Sequence, residues 1–476
     1  MSDSSAGFAR RVARSLLLTA VGSMAGRGLG LAALLLAFRW VDAVDLGLAS
    51  LVLSIMAVLR GMAELSLGAA LVQADEIGDD EVDALFWWGL LTATLAGTAV
   101  ALAGPWFAAA FDSPDMLGPL RLAAWVLPVG ALAMVPRAQL ERRLAMGRLA
   151  VIDNVGMIVG AIVLVVLAWR GAGVWSFVVG TLANRSAQTL GTFIASPYRP
   201  RSFGRGAKVG ERIRFGLFAS GSRVLHELYI NADYLVVGAM LTTHALGLYA
   251  FAYRLVFDPT RGLTNVISRV AFPALSRLGQ DLPRLRRYLG AFARLSVGTI
   301  GVLLAAGAIE VDRLLPTLGY GRWVSTVPLI RIFAAIALLQ TATPLLPQLL
   351  NAMGRARDNF VYSATCAVVM PVAFVVGATV HGTSGVAMAW AVGYPVVASL
   401  LLWLAARAMA LRPRQLLATL SSGGWAVAVA AGLGLGLRAL APQIPSMVTF
   451  GLTALGGLAV VAARERETLA WIRRDR

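Results

Sequence analysis

Residues 221–238 read GSRVLHELYINADYLVVG. With the apolar sequence around them they form a run, roughly 213–240, long enough to cross a bilayer, for which about 20 apolar residues suffice. Yet the run carries Arg223, His226, Glu227, Asn231 and Asp233. An ionised side chain at the bilayer centre costs at least about 2.5–3.5 kcal/mol. Such a segment reads as a helix with one wet face and one face for lipid or packing. Arg223, Glu227 and Asn231 follow at i, i+4 and i+8, which puts them on one face.

The same reading extends outward along the chain. Of 476 residues, 58% are hydrophobic and 14% charged, against about 25% charged in a soluble domain. The sequence predicts an all-α polytopic membrane protein of about fourteen transmembrane helices. The predicted spans are 13–38, 46–72, 84–110, 118–138, 150–169, 173–194, 213–240, 245–275, 288–309, 323–349, 359–380, 384–406, 417–437 and 446–463. Arg10, Arg11 and Arg14 precede the first span, which lacks a convincing cleavage site and reads as uncleaved.

The formal charge is +17, with one Lys (Lys208) among 42 basic residues. Nucleic acid needs an exposed basic face, and these arginines are dispersed among apolar spans, so no nucleic-acid partner is expected. Cys366 is the one cysteine, and His226, His244 and His381 lie far apart in sequence. No metal site is spelled out and no cofactor is expected.

Orientation follows from the arginine bias. With the N-terminus in the cytoplasm, the cytoplasmic loops hold the groups Arg137/Arg142/Arg143/Arg148, Arg199 to Arg214, Arg277 to Arg287, Arg355/Arg357 and Arg407 to Arg414. The opposite side holds only Arg39, Arg170, Arg313, Arg322 and Arg438, so both termini are expected in the cytoplasm. One loop disagrees: ADEIGDDEVD (74–83) falls inside and is purely acidic, though acids weigh little in the rule.

DLGLASLVLSIMAVLRGM (45–62) and ALGLYAFAYRLVFDPTRGL (245–263) share LGL at an offset of 200. Six spans separate the two starts, so the halves are expected to be parallel repeats. Transporters built this way bind substrate near the midplane between the halves. The expected organisation is a first lobe over 1–200, a second over 201–408, and two accessory spans with a basic tail over 409–476.

Ten cations fall within spans. Arg121, Arg269 and Arg294 lie near span ends, where snorkelling explains them, and Arg185 is ambiguous. Arg27, Arg60, Arg223, Arg254, Arg261 and Arg331 lie deeper or in groups. In the eighth span Arg254, Asp258, Arg261, Asn265 and Arg269 share one helical face, and Arg60–Glu64 is an i,i+4 pair. Salt bridges that merely join helices explain Arg60–Glu64 and Arg223–Glu227. They do not absorb six deep arginines against the acids Glu64, Glu227, Asp233 and Asp258. The reading adopted is a cationic, hydrated cavity in which the six arginines cradle an anion. Glu64, Glu227, Asn231, Asp233 and Asp258 would position them or relay protons. Guanidinium forks suit phosphate oxygens, and a cationic drug would be repelled.

Pro128, Pro259, Pro344, Pro347, Pro371 and Pro395 lie within predicted spans, where proline breaks or kinks a helix. Gly22, Gly26 and Gly30 form a strip suited to close helix approach. GLGLG (432–436) has no strand before it, so it is not a nucleotide loop. No paired catalytic carboxylates and no HExxH, GxSxG or Walker motif occur, and no enzyme activity is expected.

Several stretches carry a family resemblance: AELSLGAALVQ (63–73), VPRAQLERRLAMGRLA (135–150), GAGVWSFVVG (171–180), SPYRPR (196–201), NADYLVVGAMLTTHALGLYAFAYRL (231–255) and VAFPALSRLGQDLPRLRRY (270–288). On these the chain resembles the polysaccharide-transporter branch of the multidrug/oligosaccharidyl-lipid/polysaccharide (MOP) flippase superfamily, nearest the colanic-acid and O-unit exporter type. The resemblance implies an inverted V of two six-helix lobes with the last two spans as accessories. It implies alternating access in a bacterial cytoplasmic membrane. The implied cargo is an undecaprenyl-pyrophosphate-linked glycan, with a polymerase and glycosyltransferases of the same pathway as partners. The family's Asn-x-Asp pattern falls on Asn231 and Asp233, and its Ala-Tyr pattern on Ala252 and Tyr253. Rival readings are a lipid II flippase, a drug/cation antiporter and a membrane scaffold for glycan assembly.

Overall fold

The computed structural model describes residues 26, 28–63, 71, 78–203, 227–278 and 281–465, and every regular element among them is a helix. The helices, in chain order, are α1 (Gly28–Ala37), α2 (Ala43–Ala63), α3 (Asp79–Leu102), α4 (Pro114–Arg142), α5 (Met146–Trp169), α6 (Val174–Ala195), α7 (227–240), α8 (Thr243–Leu278), α9 (Leu282–Thr317) and α10 (Gly321–Ala352). A helical run over Ala356–Ala408 is bent at His381–Gly382, and its two arms are α11 and α12. The bent pair Pro413–Ser421 and Gly424–Leu440 forms α13, and Ser446–Arg464 forms α14. Each predicted span thus has a helical counterpart among the described residues. Among the described residues, eight helices are long and apolar enough to cross a membrane by themselves, and the bent pair makes a ninth.

Composition explains these helices. α5 is apolar on every side, and Val151, Val155 and Ile162 remain exposed along it. A helix apolar all round is buried or faces lipid, and this one offers lipid a continuous flank. Prolines do less than the sequence predicts. Pro371 and Pro395 sit inside helix without ending it, and the bend falls at His381–Gly382, where Gly382 has a φ of 57°. Pro344 does act at a break, as the residue that opens the second segment of α10.

The chain divides into two compact units, Met1–Gly247 and Leu248–Arg476. The first unit takes in α7 and the first residues of α8, and the start of α8 meets α2 by close backbone approach. A Cβ on Gly47 would collide with the Thr243 carbonyl, and one on Gly247 with the Ala43 carbonyl. The two glycines are the centres of the repeated LGL. The repeat therefore records a reciprocal crossing of two helix starts, each glycine admitting the other helix's backbone.

The acidic loop that defied the charge rule also has a local cause. The Asp83 carboxylate, buried at the start of α3, accepts from the Tyr198 hydroxyl at 2.7 Å, the Arg201 N–H at 3.0 Å and the Ser202 N–H at 2.8 Å. Asp80 reaches the Ser202 hydroxyl at 3.2 Å, and the Trp87 Nε1–H donates to the Ser202 carbonyl at 2.9 Å. Burial, with the Asp83 carboxylate beside it, pushes the Tyr198 phenol well above its ordinary range. The acids thus hold the SPYRPRS segment that leaves α6. Phe86, Leu85, Val135 and Tyr198 form the small core behind it.

In the second unit α9 is the central post. Leu289 and Phe292 pack with Leu346, Leu349 and Leu404, and further along Val302 packs with Ala426, Ala430 and Val461 of the last two helices. Arg294, expected to snorkel, pairs instead with Glu465 at 3.0 Å, with the Glu465 side chain only 7% exposed. That bond ties α9 to the residue that ends α14.

Candidate functional site

α8 carries Arg254, Asp258 and Arg261 on successive turns, beside an aromatic stripe. Tyr249, Tyr253 and Phe257 rise along the helix at i, i+4 and i+8, and Phe333 of α10 meets all three edge-on at 5.2–5.6 Å between centroids. This aromatic bed fixes the guanidinium of Arg261. Its Nη2 donates to the Tyr253 hydroxyl at 2.5 Å, and its Cζ lies 5.2 Å from the Tyr253 ring and 5.7 Å from the Phe257 ring. Cation–π contact of this kind contributes about 0.5–2 kcal/mol. A phenol and two ring faces orient the cation. Asp258 lies within electrostatic reach of Arg254 and Arg261. Arg254 is half-buried and Arg261 exposed. Ala252 and Tyr253, marked by the resemblance, are both buried. Tyr253 therefore serves the site as the base on which Arg261 rests.

Arg331 lies elsewhere. Its Nη2 donates to Asp312 at 3.2 Å and its Nε to the Ala308 carbonyl at 3.1 Å, both on α9. Asp312 also takes both Nη atoms of Arg438 from α13, at 2.8 and 2.6 Å. Arg438 further donates to the Ile309 carbonyl. The expectation that Arg331 joins the α8 arginines is thus replaced by a carboxylate tie among three helices. Helical geometry gives the reason: Arg331 and Phe333 are two residues, about 200°, apart. Phe333 faces α8, so Arg331 is turned away from it.

In the first unit, Asn231 donates to the Glu227 backbone carbonyl at 2.8 Å and leans on its carboxylate at 3.5 Å, as the i,i+4 spacing predicts. Asp233 is fully buried, and its carboxylate accepts from the Tyr234 N–H at 2.9 Å. Arg60 stands half-buried in the last turn of α2. Arg27, Glu64 and Arg223 lie outside the described residues. Of the predicted glycine strip, Gly26 packs near Asn154 of α5, whereas a side chain on Gly30 would meet nothing within 4 Å; Gly22 lies outside the described residues.

Sequence reasoning missed Asp312 and Glu310 because the apolar window for that span closes at 309. Glu310 is buried, and among the described residues neither of its carboxylate oxygens has a hydrogen-bond partner. The one available signal was the pair of acids at i and i+2 just past the window. Arg137, counted only as a loop cation, makes a two-pronged bond to Asp153 at 2.8 and 3.0 Å.

The sequence pattern of a family described as "Polysaccharide biosynthesis protein" matches residues 35–328. The lipopolysaccharide biosynthesis protein WzxC of Escherichia coli (strain K12) is 26% identical over 76% of this chain and 74% of its own length. Among solved structures, a lipid II flippase MurJ in an inward closed conformation superposes with a TM-score of 0.74 at 13% identity, covering 95% of this chain and 100% of that one. An inward-facing multidrug resistance MATE family transporter of the MOP superfamily gives 0.62 at 14% identity, over 82% of this chain and 96% of that one. At these identities the two structures establish a shared fold.

Proposed function

The chain belongs to the polysaccharide biosynthesis protein family and is a multi-pass membrane transporter with the MOP fold; from that premise we propose that it moves undecaprenyl-pyrophosphate-linked oligosaccharide units across the bacterial cytoplasmic membrane by alternating access, for surface polysaccharide. The family match over 35–328 is the observation that carries this reading. It acts as a carrier, not an enzyme. Both termini lie in the cytoplasm, on the arginine-rich side.

The chemistry supports an anionic cargo. Arg254 and Arg261 share one α8 face with one carboxylate, Asp258, and Tyr253 holds Arg261 in a fixed orientation. Guanidinium and pyrophosphate oxygens pair through short, charge-assisted bonds. Moving a negative charge outward across an interior-negative potential of about 100 mV gains about 2.3 kcal/mol. A doubly charged head gains about twice that, so the potential by itself drives export, with or without an ion coupled through Glu227, Asp233 or Asp258.

A deletion strain tests the reading. Loss of surface glycan with build-up of the lipid-linked precursor is the expected outcome. Normal glycan sinks it. Rescue of a strain starved of lipid II transport would transfer the reading to peptidoglycan precursors. Export indifferent to both α8 arginines would favour a scaffold.

A further inference from the structure

A groove of about 420 Å³ runs between α5 and α6. Gly147, Val151 and Val155 line one wall, and Ala187, Gly191 and Ile194 the other. From Gly147 to Val155 it covers eight residues, about 12 Å of helix. That is just under half of a hydrocarbon core of about 30 Å, the depth of one leaflet. Its lining is apolar except at one end, where Arg148 stands.

That end is built for an anion in two further ways. α5, 24 residues long, starts after Ala145 with no side-chain cap. The first N–H groups of such a helix point at whatever lies above them and favour negative charge. Arg143 and Arg148 are both exposed there, while Arg137 is committed to Asp153 and Arg142 to the Leu71 carbonyl. Between the two exposed arginines, Leu144 is 69% exposed and held at a φ of 53°. A branched aliphatic residue in left-handed backbone is strained. An exposed leucine flanked by arginines suits the boundary between headgroups and acyl chains.

We infer that this groove is a binding site for an anionic phospholipid. Its phosphate caps α5 beside Arg143 and Arg148, and one acyl chain lies between Val151, Val155 and Gly191. The occupant is a bilayer lipid of the arginine-rich side, separate from the transported cargo. The site stands on α5 and α6, and neither Arg254 nor Arg261 lines it.

Gly147 offers a direct probe. A side chain there meets nothing within 4 Å, so Gly147→Phe fills the groove without a backbone collision. The experiment is thermal unfolding of the purified full chain in neutral detergent. Phosphatidylglycerol, phosphatidylcholine, glycerol phosphate and undecaprenyl phosphate are added separately. Phosphatidylglycerol at saturation should raise Tm by about 3 °C or more, and the other three by less than a third of that. The rise should vanish in Gly147→Phe, persist in Gly147→Ala, fall by at least half in Arg148→Gln, and persist in Arg170→Gln at the far end of α5. Equal shifts with phosphatidylcholine or glycerol phosphate would overturn the site. So would a full shift in both Gly147→Phe and Arg148→Gln, or its loss in Arg170→Gln. A larger shift with undecaprenyl phosphate would assign the groove to cargo and overturn the proposal as stated.

Discussion

In the second unit, Arg254, Asp258 and Arg261 occupy successive turns of one helix, whereas Asp312, Arg331 and Arg438 come from three. The first set rests on its own helix's aromatic rings, with the Tyr253 hydroxyl bonded to Arg261. In the second set a single carboxylate accepts from two guanidinium groups and so joins α9, α10 and α13. A guanidinium locked onto a carboxylate has its charge met and works as a fastener. The other is steadied by a phenol and a ring face, which set its orientation. Burial alone does not separate the two, since Arg261 and Arg331 are both exposed. The partner does.

The widest gap between the groups should open in export. Arg254→Gln or Arg261→Gln each removes charge-assisted bonds of about 1.5–3 kcal/mol to an anion, which corresponds to roughly a tenfold or greater loss of transport. Surface polymer measured in complemented deletion cells should fall accordingly, while Tm of the purified protein stays near wild type. Asp312→Asn should do the reverse. Two partly exposed arginines lose their shared acceptor, at a cost of about 1 kcal/mol for such pairs. Tm should drop by a few degrees with polymer largely kept.

These outcomes also mark how far the sequence could be read. The α8 face was legible because Arg254, Asp258 and Arg261 recur at helical spacing within eight residues. The spans were legible because each must carry its own apolar run. The ties were not, because their partners are distant: Arg438 meets Asp312 across 126 residues, Arg294 meets Glu465 across 171, and Asp83 meets Ser202 across 119. Periodicity reports which residues share a helix face, and says nothing of which face meets which. Arg331 shows the consequence. Its depth in a span resembled that of Arg261, but its rotation about α10 sent it to Asp312. LGL at an offset of 200 was visible as a repeat, but not as the crossing of Gly47 and Gly247.

Two smaller effects sharpen the contrast. Tyr253→Phe keeps the ring under Arg261 and removes one hydrogen bond, about 0.5–1.5 kcal/mol, so polymer export should fall by roughly two- to tenfold. Arg331→Gln removes a half-exposed partner while Arg438 keeps Asp312. Exposed pairs contribute about 0.2–1 kcal/mol, so Tm should move by no more than a few degrees and export stay close to wild type. Equal export defects in Arg331→Gln and Arg261→Gln would erase the distinction between fastener and site.

On the proposed function, the α8 arginines carry a lipid-linked anion across the membrane. The most direct test is the amount of lipid-linked oligosaccharide in deletion cells carrying the Arg254→Gln/Arg261→Gln chain at wild-type abundance. Precursor should accumulate to the level of the uncomplemented deletion, with surface polymer absent. Precursor at the wild-type level, with full surface polymer, would contradict it.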